Sequence, residues 1–226
     1  MTPGNIVGMA KLNGLDIVAL TDHNTSKNCP AFFEIAKGYG ITAVAGMELT
    51  TCEDVHAVCL FRDLGSAMDF DKFVDGKRFK IKNNADIFGH QYIVDENDEI
   101  VGEEESLLIN ATELSLSEAY NEVLKRGGVC FPAHIDRESN GMISMLGDFP
   151  PDPPFTAFEL NDGSNLLEYA ERFPIINERK LAYVASSDAH YLTDIAEEGF
   201  ELSLDESGSG ESVTDRLIDH LLKKTR

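Results

Sequence analysis

Short apolar runs rich in β-branched residues alternate with helical segments through most of this chain, and this alternation constrains the fold more than any other feature. The runs have the length of strands, and the apolar residues between them recur at helical spacing. The predicted strands cover residues 16–22, 42–47, 55–61, 128–133, 155–160 and 181–186. Strands that alternate with helices are typical of α/β proteins, so we expect either a barrel or a doubly wound sheet.

Capping residues predict several helix boundaries. Thr2 and Pro3 begin a first helix that stops at Gly14. Ser115, followed three residues later by Glu118, is a capping-box signature for a later helix. The stretch 165–179 is also expected to be helical. A short flexible link at 208–210 then leads to a C-terminal helix within residues 211–226.

An acidic segment at residues 83–110 interrupts the alternation. Residues 91–94 and 99–102 predict two strands joined by an acidic turn, which together form an inserted hairpin. Because runs of charge usually mark solvated faces, we expect this hairpin to be a surface excursion. The rest of the pattern shows no boundary, so residues 1–226 are expected to form a single domain.

Composition excludes several classes of protein. With 42% hydrophobic residues among 226, the chain can bury a substantial core, which excludes a disordered protein. Its formal net charge of -21 opposes non-specific binding to nucleic acid and to anionic membranes. No apolar stretch approaches the roughly twenty residues that span a bilayer, and no signal pattern opens the chain. We therefore expect a soluble cytoplasmic protein, with its four cysteines reduced.

Histidines and acids cluster at the predicted strand ends. The set is His23, Glu48, His56, His134, Asp188 and His190. All but His56 follow an apolar run, and His56 begins the strand after a hairpin, so it returns to the edge that holds Glu48. Asp188 and His190 would share one face if their strand extends that far. Imidazoles and carboxylates bind zinc, manganese or iron, and this many in one cleft predict more than one ion. His90 and His220 are expected to have structural roles.

The order of these motifs resembles a known family. Thr21-Asp-His-Asn24, Gly46-Met-Glu-Leu-Thr50, Val55-His56, Pro132-Ala-His134 and Ser186-Ser-Asp-Ala-His190 resemble the successive motifs of the PHP (polymerase and histidinol phosphatase) superfamily of metal-dependent phosphoesterases. The resemblance implies a distorted TIM-like (β/α)7 barrel with up to three divalent ions at its rim.

The resemblance also implies roles for the individual residues. Glu48 would bridge two ions, and His56 with His134 would complete the second. Asp188 would bind the first ion, while His23 and His190 would hold the third. Asp22 would lie behind the ligands and orient His23 or a backbone amide.

One departure from the family pattern concerns the start of the chain. The family opens with a strand that carries His-x-His and then a further ligand, and this sequence has neither. We therefore expect a barrel without its first strand and with fewer ions, in either an N-terminally truncated product or a naturally degenerate member. An uncovered sheet edge would favour a homo-oligomer.

The expected reaction is metal-dependent hydrolysis of a phosphate ester. Arg137 is the candidate phosphate clamp, and the alternative is a surface arginine paired with Glu138 or Asp136. His190 could instead donate a proton to the leaving oxygen. The acidic exterior favours a small phosphorylated substrate over a long nucleic acid. Two other readings remain: a metal-binding module without catalysis, and an amidohydrolase, whose bridging lysine is absent from the predicted strands.

Overall fold

The computed structural model describes residues 1–197, 199–204 and 211–224. The strands are β1 (Ile17–Leu20), β2 (Thr42–Thr50), β3 (His56–Phe61), β4 (Tyr92–Val94), β5 (Ile100–Glu103), β6 (Val129–Pro132), β7 (Ala157–Leu160) and β8 (Ala182–Ala185). The helices are α1 (Pro3–Leu12), α2 (Cys29–Tyr39), α3 (Leu64–Asp75), α4 (Ala85–Phe88), α5 (Leu116–Lys125), α6 (Met142–Leu146), α7 (Leu166–Arg172), α8 (Ile175–Glu178) and α9 (Val213–Leu221). The predicted link at 208–210 lies outside the described residues. These elements confirm a mixed α/β fold.

The main sheet has the strand order β1-β2-β3-β6. β1 runs parallel to β2, whereas β3 is antiparallel to both β2 and β6. The ends of β1, β2 and β6 therefore lie at one edge of the sheet, together with the beginning of β3. β7 and β8 form a parallel pair, and Ile135 N donates to Glu159 O (2.9 Å), which joins β7 to the end of β6. Closure of these strands into a barrel stays a prediction, as does a homo-oligomer, although β1 pairs only with β2 among the described strands.

Alternate residues of the central strands face two hydrophobic clusters. On β2, Ala45 and Met47 pack with the helices α1, α2, α3 and α5, while Val44 packs with α9. Because successive strand residues point to opposite faces, a strand covered on both sides is apolar along nearly its whole length. Glu48 lies on the same side of β2 as Val44, near the end of the strand. This end lies at the sheet edge that also holds the ends of β1 and β6.

Local sequence explains the helix boundaries and one difference from the expected pattern. Thr2 Oγ1 accepts from Asn5 N, and the capping box at Ser115 is present. The predicted helix at 165–179 is instead divided into α7 and α8, because Pro174 removes a backbone donor and disfavours helical geometry at the preceding residue. No helix in the described ranges has the length and apolar character needed to cross a membrane.

The inserted hairpin is present as β4 and β5 and lies at the surface, as expected, but one of its sides is not solvated. Glu104, just after β5, is buried and forms ion pairs with Lys27 and Arg78. The Asn28 side chain accepts from Val94 N at 3.1 Å. The inner side of the insert therefore packs on the loop that follows His23, and only its outer side faces solvent.

Candidate metal centre

Backbone pairing beyond the end of β1 places His23 next to Glu48. Glu48 N donates to Asp22 O (3.2 Å), and Asn24 N donates to Glu48 O (2.9 Å). His23 and Glu48 are thus partners in a parallel bridge. The parallel pairing of β1 with β2 continues just far enough to bring the two side chains together.

Asn24 fixes the turn that follows His23. Its φ of 51° lies in the left-handed region, which asparagine tolerates better than most residues. The buried side chain accepts from Thr50 N at 2.9 Å and donates to Leu108 O and Asn110 O, at 2.6 and 2.8 Å. Sequence reasoning missed this residue, although it is part of the motif Thr21–Asn24, because its partners are distant in the chain.

Three imidazoles converge on the Glu48 carboxylate. Its Oε2 lies 3.1 Å from His23 Nδ1, while its Oε1 lies 3.2 Å from both His56 Nδ1 and His134 Nε2. The antiparallel register pairs Thr50 with His56, which returns His56 to the edge that holds Glu48, as expected from the hairpin. The donor atoms of His23, Glu48 and His56 all lie within 4.8 Å of one another, a spacing that could hold a metal ion.

His134 and Asp188 both have backbone conformations that side chains rarely adopt. Their φ angles are 25° and 45°. Such conformations cost free energy and are concentrated at functional sites, where the surrounding structure enforces them. At His134, the backbone N–H donates to the Glu159 carboxyl at 3.0 Å.

Asp188 and His190 reach the cleft by a turn rather than along a strand. β8 ends at Ala185, so the expected sharing of one strand face does not apply. His190 Nδ1 lies 2.9 Å from Asp188 O, and the rings of His190 and His23 are 5.9 Å apart. The two residues are nevertheless brought together with the other candidates.

Arg137 forms an ion pair with Asp188 across the cleft. The alternative partners considered for it, Glu138 and Asp136, were wrong. Asp136 instead accepts from the backbone amides of Asn161 (2.7 Å) and Asp162 (3.0 Å). The guanidinium is therefore directed into the site rather than held along its own loop.

A cleft of about 190 Å³ gathers the candidate residues. It is lined by His23, Glu48, His56, His134, Arg137, Ser139, Asn140, Asp188 and His190. Asp22 is not in this lining: its carboxylate accepts from Asn28 Nδ2 at 3.3 Å, and burial raises its pKa. His90 pairs with Glu103 on the insert, away from the cleft.

The electrostatics of Glu48 and His23 suit a divalent cation. Burial would raise the pKa of Glu48, but hydrogen bonds from His134 and His56 outweigh it and hold that pKa well below its usual range. Burial lowers the pKa of His23 and favours its neutral form. For His134, burial alone would lower the pKa, but the hydrogen bond with Glu48 outweighs it and leaves the pKa raised.

The buried His134 Nδ1 has no hydrogen-bond partner in the described part of the chain, and His23 Nδ1, although 3.1 Å from Glu48 Oε2, forms no hydrogen bond of good angle with it. Metal ions bind ionised carboxylates and neutral imidazoles, and an unpartnered buried polar atom is costly without a ligand. The residues present therefore fit a divalent ion, and their nitrogen and oxygen donors suit zinc, manganese or iron.

Glu159 is a second buried carboxyl near the cluster, which sequence reasoning missed. Burial raises its pKa to about 7, against hydrogen bonds from Ser186 and from the His134 amide that act in the opposite direction. Its only signal in the sequence is an acid inside an otherwise apolar strand, Phe155-Thr-Ala-Phe-Glu-Leu160.

The raised pKa of Glu159 predicts a pH dependence of stability in the metal-free protein. Between about pH 4.5 and 7, the folded state retains a proton that the unfolded state releases, so the free energy of unfolding falls as pH rises. Glu159→Gln removes this titration. Urea unfolding with a chelator present should show the wild type losing more stability than Glu159→Gln across this window, and parallel profiles would contradict the assignment.

Comparison with known proteins gives a family match and several structural neighbours. The PHP domain family matches residues 1–138, a range that contains His23, Glu48, His56, His134 and Arg137. An uncharacterized protein of Methanocaldococcus jannaschii is 29% identical over 91 residues, which is 40% of this chain and 52% of that protein.

Two solved structures have similar folds. The lesion-specific endonuclease EndoQ of Pyrococcus furiosus is 18% identical with a TM-score of 0.54, over 85% of this chain and 44% of that one. A protein of Bifidobacterium adolescentis assigned as a metal-dependent phosphoesterase is 18% identical with a TM-score of 0.53, over 97% of this chain and 91% of that one. The chain thus spans about half the length of the M. jannaschii relative and less than half of EndoQ.

Proposed function

Because this chain belongs to the PHP domain family, we propose that it is a metal-dependent hydrolase that cleaves small phosphate monoesters. The observation that carries this proposal is the convergence of three imidazoles on the ionised Glu48 carboxylate, in a cleft that also holds Arg137.

The proposed metal ligands are His23, Glu48, His56, His134, Asp188 and His190. Glu48 presents Oε2 to His23 and Oε1 to His56 and His134, so its two oxygens face different sets of ligands. This division supports a carboxylate that bridges two ions. Bound divalent ions would lower the pKa of a water molecule and neutralise charge on the phosphoryl group.

His190 is proposed as a ligand in preference to a proton donor. Its Nδ1 lies 2.9 Å from Asp188 O, so the Nδ1–H donates to that carbonyl and leaves the lone pair on Nε2. A ligating histidine is commonly fixed in this way by a hydrogen bond from its other nitrogen. A protonated His190 would have no lone pair to offer.

Arg137 is proposed to bind the phosphate group. It is the one permanently charged cation among the described residues that line the cleft. A guanidinium donates two parallel hydrogen bonds to phosphate oxygens, and its position opposite Asp188 places this fork inside the site.

Nucleic acid is the second candidate substrate. EndoQ of P. furiosus, described as a lesion-specific endonuclease, has a similar fold, so the acidic exterior alone does not exclude a polynucleotide. The volume of about 190 Å³ favours a terminal phosphoryl group over an enclosed nucleoside. Assays with an aryl phosphate, a diaryl phosphate and a lesion-containing duplex distinguish these substrates, and cleavage of the duplex alone would overturn the preference for a small monoester.

Replacing Arg137 tests the phosphate clamp. We expect Arg137→Ala to raise KM for an aryl phosphate by about tenfold or more, because a charge-assisted fork is lost, with metal content retained. Arg137→Lys keeps the charge but not the two parallel donors, so its KM should lie between those of the wild type and Arg137→Ala. Steady-state kinetics beside metal analysis provide the measurement, and an unchanged KM in Arg137→Ala would rule out the role.

A further inference from the structure

Glu159 is buried at the end of β7 and contacts two segments that carry candidate ligands. One carboxyl oxygen accepts from His134 N at 3.0 Å, and the other accepts from the Ser186 hydroxyl. Glu159 is not among the residues that line the cleft. We propose that it is a positioning residue, which fixes His134 and the segment leading to Asp188 in the geometry for metal binding. This inference rests on the proposed function.

The first part of the argument concerns the backbone at His134. A φ of 25° turns the chain sharply just after β6, and the His134 N–H donates to a side chain rather than to the backbone of a neighbouring strand. A buried amide without an acceptor costs free energy, so the turn requires a partner at this point. Glu159 supplies two acceptors in succession, since its side chain accepts from His134 N and its carbonyl accepts from Ile135 N at 2.9 Å.

The second part concerns the segment after β8. Ser186 directly follows that strand, and Asp188 lies two residues further on with a φ of 45°. The Ser186 hydroxyl donates to the Glu159 oxygen that does not accept from His134. One carboxyl group therefore links the ends of β6 and β8, from which His134 and Asp188 enter the cleft.

The experiment compares three substitutions at this link with a control. Glu159→Ala removes both carboxyl oxygens and leaves the backbone carbonyl in place. Glu159→Gln keeps one acceptor oxygen and the side-chain volume, and Ser186→Ala removes only the hydroxyl. Asp219→Ala is the control, because Asp219 is also a buried carboxylate but pairs with Arg62 from α9, outside the cleft lining. The readouts are Mn²⁺ affinity by calorimetry and hydrogen exchange at the His134 amide in the metal-free protein.

We expect Glu159→Ala to weaken Mn²⁺ binding by about tenfold or more and to accelerate exchange at the His134 amide by a similar factor. Glu159→Gln should remain within about threefold of the wild type in both, and Asp219→Ala should change neither. Unchanged Mn²⁺ affinity or unchanged amide exchange in Glu159→Ala would overturn the proposal.

Two further outcomes are also decisive. If Glu159→Ala does not fold, Ser186→Ala should still weaken Mn²⁺ binding by about threefold, and wild-type affinity in that variant would overturn the link to β8. If the wild type binds no Mn²⁺, the proposed function fails. Amide exchange in the folded variants still decides whether Glu159 positions His134.

Discussion

Glu48→Gln is expected to remove most of the bound metal and to lower kcat/KM for an aryl phosphate by more than about a hundredfold. Loss of a group behind the ligands typically costs about 10- to 100-fold in metal affinity or activity, and a bridging ligand should cost more. Glu48 is ionised and faces His23 through one oxygen and His56 and His134 through the other. Glutamine preserves the volume but is neutral and replaces one acceptor with a donor.

Glu104→Gln is the matched control for this change. Glu104 is nearly as buried as Glu48 and also forms ion pairs, but its partners are Lys27 and Arg78, and it is not among the residues that line the cleft. The control should lose stability while it retains its metal. Elemental analysis of both variants provides the test, and full occupancy in Glu48→Gln would contradict the bridging role.

His134→Ala is expected to have the second largest effect, with loss of about one ion per chain and of most turnover. His134 is buried, and its Nε2 lies 3.2 Å from Glu48 Oε1 and 3.3 Å from His56 Nδ1. Its removal leaves a cavity at the centre of the cluster and one fewer donor. The effect should appear in kcat as well as in metal content, because in the proposed reaction the bound ions would activate the attacking water.

His90→Ala is the matched control for His134→Ala. His90 also pairs with a carboxylate, Glu103, but on the surface of the insert. The His90→Ala variant should retain both its metal and its activity. If His134→Ala loses metal while neither the wild type nor the control shows turnover, the chain is a metal-binding module without catalysis.

The arrangement of Glu48 and His56 could be predicted because it depends on local rules. Two strands joined by a short hairpin pair antiparallel, which returns the start of the second strand to the end of the first. The parallel pairing of β1 and β2 then places His23 at the same edge. The strands and most helices were predictable for the same reason, because hydrophobic alternation and helix capping depend on residues that are close together in the sequence.

The role of Glu159 could not be predicted, because it depends on strands that are neighbours only in the fold. A glutamate in a short strand gives no sign that its partners are an amide 25 residues earlier and a hydroxyl 27 residues later. The contacts of Asn24 with the end of the insert, 84 and 86 residues away, could not be predicted from the sequence for the same reason. Local signals place the candidate ligands at strand ends, whereas the groups that hold them follow from tertiary packing.

The most direct test of the central claim is elemental analysis of the purified wild-type chain, run beside hydrolysis of an aryl phosphate with added Mn²⁺. The proposed bridging role of Glu48 predicts about two ions per chain and turnover that disappears with a chelator and returns with the metal. A chain that binds no ion and hydrolyses no phosphate ester under these conditions would contradict the account.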